Sequence, residues 1–181
     1  AGFEYDHTLY CLQKYAGSQN VVHVAVFTDA YVRYRSQLQM VQEAVGPVKP
    51  WTNKAVETIS NDLKSHPLLP GQRIVLVGSS AGGTVAIEAL KPLASKGIYV
   101  DQVILRGSFE IQFTLTNTNR VDYITADPAY LDEYYSPDVN PFDGINVIEH
   151  PVSGLHGHMP DSGDEKRVWT QVGSMIVNLI D

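Results

Sequence analysis

Residues 73–90 read RIVLVGSSAGGTVAIEAL. Apolar residues run unbroken from Ile74 to Val77, and a few residues later the spacing turns helical, with Val85, Ala86, Ala89, Leu90 and Leu93 on one side. Only glycine, serine and alanine lie at the junction. A strand handed straight to a helix through so small a turn starts a β-α unit. The next strand-like run, VDQVILRG (100–107), then returns parallel to the first. An unbroken apolar run of this length predicts a strand covered on both faces. Pro92 is expected to interrupt the helix and Gly97 to end it.

The rest of the chain follows the same rhythm. NVVHVAVF (20–27) predicts a buried strand, and 31–46 a helix carrying Val32, Leu38, Val41 and Val45, stopped by Gly46 and Pro47. A second helix is predicted over 50–66, with Trp51, Ala55, Ile59 and Leu63 on one stripe. NRVDYITAD (119–127) and INVIEHPV (145–152) predict further strands, the second followed by a loop over 153–163. A final helix should bury Val168, Val172, Met175 and Leu179, with Ser162 and Glu165 as a capping box. Strands alternating with helices predict an α/β fold, a three-layer sandwich whose mostly parallel sheet has helices on both faces. The 181 residues suit a single domain, 1–181, within which 1–19 has no assigned place.

Charge and cysteine content narrow the function classes. The formal net charge is −7 and the lysines and arginines are scattered, so no nucleic-acid footprint is visible. No apolar run reaches the length of a transmembrane segment. Cys11 is the single cysteine, which excludes an intrachain disulfide and a cysteine-rich zinc site. These features describe a soluble chain and leave secreted and cytoplasmic locations open, along with the oligomeric state.

Ser80 explains the small turn. A hydroxyl is a weak nucleophile until a base takes its proton and fixed donors receive the oxyanion. A serine at a sharp strand-to-helix turn stands clear of the sheet, beside the amide donors and positive end of the helix. Gly78 and Gly82 flank Ser80 at −2 and +2, so GSSAG matches G-x-S-x-G, whereas Ser79 would need a glycine where Val77 stands. Two other readings compete. A phosphate-binding turn lacks the Walker lysine and the G-x-G-x-x-G spacing, and a turn with only a packing role stays open.

A triad needs an acid and a base at the same sheet edge. Asp127 follows the strand RVDYIT, and His156 and His158 follow the strand INVIEHPV. Asp122, Asp132, Asp138 and Asp143 are the other candidate acids; Asp122 lies inside a strand pattern and the rest fall further along the loops. His7, His23, His66 and His150 lack such a context and read as structural. The pair His156 and His158 with Asp161 could instead ligate a metal, but no further ligand set accompanies them, and no metal is expected.

The chain order Ser, Asp, His, each just beyond a strand, resembles the α/β-hydrolases, in particular the small lidless lipases and esterases, over residues 20–181. The resemblance implies a compact α/β-hydrolase fold with Ser80 as nucleophile and Asp127 as acid. His156 is the implied base, with His158 as the alternative. Ala81 would supply an oxyanion amide from its backbone. Where that family carries His-Gly after its first long strand, this chain has Ala25, Val26, Phe27 and Thr28, so a second oxyanion donor would come from the backbone of Phe27 or Thr28. The expected activity is hydrolysis of small-molecule carboxylic esters through an acyl-enzyme, with no cofactor. Thioesterase, amidase or acyltransferase chemistry would use the same triad, and a non-catalytic binding domain on the same scaffold is the alternative from another class.

Overall fold

A computed structural model describes residues 50–79, 81–106, 113–114, 116–126, 142–143, 147–156, 159–160 and 163–180. The strand expected over 20–27, the helix expected over 31–46 and the unassigned residues 1–19 lie outside these. Among the described residues there are three helices, α1 (Pro50–Ser65), α2 (Ala81–Ala94) and α3 (Glu165–Ile180). The longer strands are β1 (Val75–Ser79), β2 (Gln102–Arg106), β4 (Arg120–Ala126) and β6 (Val147–Val152). Four two-residue strands complete the set: β3 (Phe113–Thr114), β5 (Phe142–Asp143), β7 (Leu155–His156) and β8 (Met159–Pro160).

The four longer strands form one open sheet in the order β1-β2-β4-β6, with every neighbouring pair parallel. Strand alternation divides its side chains between two cores. Val103, Leu105 and Val121 pack with Val56 of α1 and with Ala86, Ile87, Ala89, Leu90 and Leu93 of α2. Their strand neighbours Ile104, Ile124 and Val152 pack with Val168, Trp169, Val172 and Ile176 of α3. The described residues are therefore α/β, an open all-parallel sheet with three helices, α1 and α2 packed in one core cluster and α3 in the other. β2 is buried at all five positions, as a strand covered on both faces must be.

Local signals place most boundaries, with three corrections. The first strand runs from Val75 to Ser79, later than its apolar run, and Val77 is 38% exposed on the α3 side. Among the described residues β1 pairs only with β2 and so stands at the edge of the sheet. Pro92 does not interrupt α2, which continues to Ala94. Pro92 removes only the bond its own N–H would give to Glu88, and the helix ends two residues later, so little is lost. Gly97, at φ +73°, closes it as expected: Gly97 donates to Ala94 O at 2.9 Å and Ile98 to Leu93 O at 3.0 Å.

The third correction concerns α3. It begins at Glu165, so Asp164 holds the cap position, and Glu165 Oε2 accepts from Gly163 N at 3.1 Å. Ser162 itself lies outside the described residues. At its other end α3 runs back to the amino edge of the sheet. There Gln102 Nε2 donates to Leu179 O at 2.8 Å and Arg73 Nη2 donates to Ile180 O. Those two side chains satisfy carbonyls that a helix end leaves without an intrahelical donor.

Candidate active-site edge

Parallel strands end at one edge. Here that edge carries Ser79 of β1, Arg106 of β2, Ala126 of β4 and Val152 of β6. The register sets Ser79 beside Arg106, Arg106 beside Ile124, and Ile124 beside His150. Ser80 comes between the last residue of β1 and the first of α2, and Asp127 comes directly after β4; both lie outside the described residues. Ala81 opens α2. His156 is the second residue of β7, which follows β6 and pairs antiparallel with β8, His156 opposite Met159. The loop expected over 153–163 therefore carries a short β ladder. His158, Phe27 and Thr28 are outside the described residues.

The turn itself is tight on one side. A Cβ at Gly78 would lie 2.6 Å from Gly82 O, 2.6 Å from Gly83 Cα and 2.8 Å from Gly83 N. All three are backbone atoms of α2, so no rotamer change could make room. Gly82 is different: a Cβ there meets no described atom within 4 Å. The contact that requires glycine is thus at −2 from Ser80, where the strand passes beneath the first turn of the helix.

Two polar groups missed by reading residues one at a time lie on the α3 face. The first is centred on Asp122, which is 0% exposed. Its Oδ2 accepts from Arg120 Nε at 2.7 Å and from Gln102 Nε2 at 2.7 Å. Its Oδ1 accepts from Arg120 Nη2 at 2.9 Å and lies 2.8 Å from His150 Nε2. Burial pushes the Asp122 carboxyl up, but the bonds from Arg120, His150 and Gln102 outweigh burial and hold it below its ordinary range. Three strands and, through Gln102, the end of α3 are tied together at this carboxylate.

A buried His-Asp couple invites comparison with a catalytic dyad, but its position argues for structure. Asp122 and His150 lie within strands β4 and β6, not beyond them. Asp122, one of the competing acids, is already saturated by its neighbours in the sheet.

The second group is Arg106, 3% exposed at the carboxyl end of β2. Its Nη2 donates to Ser79 Oγ, and its guanidinium lies 4.3 Å from the Trp169 ring centroid. A sequence signal for both groups exists: QVILR places polar residues at both ends of an otherwise apolar buried strand, on the same face as Ile104.

No family model matches the chain, and no curated protein matches it either. Among the described residues no helix is long and apolar enough to cross a membrane.

Proposed function

We propose that the protein is a serine hydrolase of carboxylic esters, built on a compact three-layer α/β-hydrolase sandwich. The observation that carries this reading is Gly78. Its hydrogen faces the backbone of Gly82 and Gly83, so β1 and α2 meet at backbone contact, and Ser80 is the single residue between the two elements in the chain. The parallel order β1-β2-β4-β6 supports it further. Ser80, Asp127 and the histidine segment follow β1, β4 and β6, three strands ending at one edge.

In this mechanism Ser80 Oγ attacks the acyl carbon while the base, His156, takes the hydroxyl proton. Asp127 orients the imidazole and stabilises its charged form. The backbone N–H of Ala81, with that of Phe27 or Thr28, receives the oxyanion. The histidine passes its proton to the leaving alkoxide, which departs as the alcohol. Water activated by the same base then attacks the acyl-enzyme and releases the carboxylic acid and free Ser80. Every step is a proton transfer or acyl transfer, so no cofactor enters.

A fluorophosphonate probe tests the reading, since it forms a stable phosphonyl ester with an activated serine. The adduct should map to Ser80 by peptide mass spectrometry. Ser80→Ala should fold normally and lose hydrolysis of short p-nitrophenyl esters by several orders of magnitude. A folded wild type that takes no label, or a Ser80→Ala variant with near-wild-type turnover, would refute it.

A further inference from the structure

Arg106 takes no step in the proposed chemistry, yet it occupies a demanding position. Burying a guanidinium is costly unless its environment compensates, and stability alone is a poor reason to keep one. Its residue is 3% exposed, and its guanidinium stacks over Trp169 at 4.3 Å from the ring centroid. Trp169 is a buried residue of α3 in the core, so the aromatic face beneath the cation is fixed. From that platform Arg106 Nη2 donates to Ser79 Oγ. Ser79 is also the register partner of Arg106, so strand pairing and side-chain bonding converge on the same residue.

We infer that Arg106, seated on Trp169, is a positioning residue for Ser80, holding the turn through the hydroxyl of Ser79. The geometry restrains the chain on either side of one peptide. Gly78 is pressed against the α2 backbone, and Ser79 is tied by its side chain to a buried cation. Restraint at both residues would fix the end of β1 from which Ser80 follows. Misplacement of a reacting group by about 1 Å can cost about a hundredfold in rate, so such restraint has kinetic value. The inference rests on the hydrolase reading of Ser80.

The test combines labelling and kinetics. Fluorophosphonate labelling rates at Ser80, and kcat and KM on a soluble p-nitrophenyl ester, are measured for Ser79→Ala, Ser79→Thr, Arg106→Met and the double variant Ser79→Ala/Arg106→Met. Circular dichroism and Tm check the fold of each. Ser79→Ala and Arg106→Met should each lower the labelling rate and kcat about ten- to a hundredfold, with KM within about twofold. The double variant should be no slower than the worse single one, because both remove the same restraint. Ser79→Thr, which keeps the hydroxyl, should restore the rate to within about threefold of wild type. A merely structural role would lower Tm without this kcat-selective loss or its rescue. Ser79 is exposed, so Ser79→Ala decides the matter even if Arg106→Met fails to fold. A folded Ser79→Ala protein labelled at the wild-type rate, or multiplicative losses in the double variant, would overturn the inference while the hydrolase reading stood. A wild type that takes no label would refute both.

Discussion

Replacing Gly78 by alanine puts a methyl group where the helix backbone already lies. The new Cβ would sit 2.6 Å from Gly82 O and Gly83 Cα and 2.8 Å from Gly83 N. Carbon atoms in contact normally keep about 3.5–4.0 Å, so strand and helix must part by about 1 Å. Neither can move freely. β1 is registered against β2, and α2 is held by Leu90 and Leu93 in the core. Overpacking of this kind costs about 1–3 kcal/mol, and more where only backbone can yield. In a domain of this size each kcal/mol lowers Tm by about 2–4 °C, so a loss of about 2–12 °C is expected. The same shift would carry Ser80 out of line and slow fluorophosphonate labelling about a hundredfold in protein that remains folded. Gly82→Ala is the internal control. Nothing described lies within 4 Å of its Cβ, and it falls inside α2. Alanine at this first-turn position should be neutral or stabilise by less than about 1 kcal/mol. Thermal unfolding followed by circular dichroism separates the two. A Gly78→Ala protein melting within about 1 °C of wild type, or equal destabilisation by both changes, would refute the argument.

Two other outcomes follow from the same geometry. Because the Asp122 carboxyl is held below its ordinary range, its contribution to stability is complete above pH about 4 and is lost as the pH falls through the lower folded value. Asp122→Asn should therefore flatten the acid limb of the Tm-pH curve below about pH 5, and parallel curves for variant and wild type would contradict this. His156→Ala should lower turnover at least about a thousandfold and His158→Ala less than about tenfold. The reverse pattern would transfer the role of base to His158, and small losses from both would sink the triad.

Periodicity along the chain is a local property, and it made the elements legible. The switch from apolar run to helical spacing at Gly78–Gly82 announced β1 and α2, and the stripe through Val85, Ala89 and Leu93 named the residues that α2 buries. The order of these elements was enough to imply a parallel α/β sheet, because regular alternation of strands with crossover helices is the pattern of parallel β-α-β units. What the chain could not reveal one residue at a time is how distant groups meet. Gly78 and Gly82 look alike in GSSAG, and only the approach of the α2 backbone shows that the first is sterically required. The α3 cap position falls to Asp164, because the helix begins at Glu165. His150 reads as an isolated histidine until register sets it on the neighbouring strand diagonally across from Asp122, whose charge is settled by donors from three strands. Arg106 reads as a strand-end cation until Trp169 and Ser79 close around it. Hydrophobic spacing is written in neighbouring residues and survives in the sequence alone. Polar satisfaction inside a core is a long-range geometric condition, so only the tertiary structure decides it.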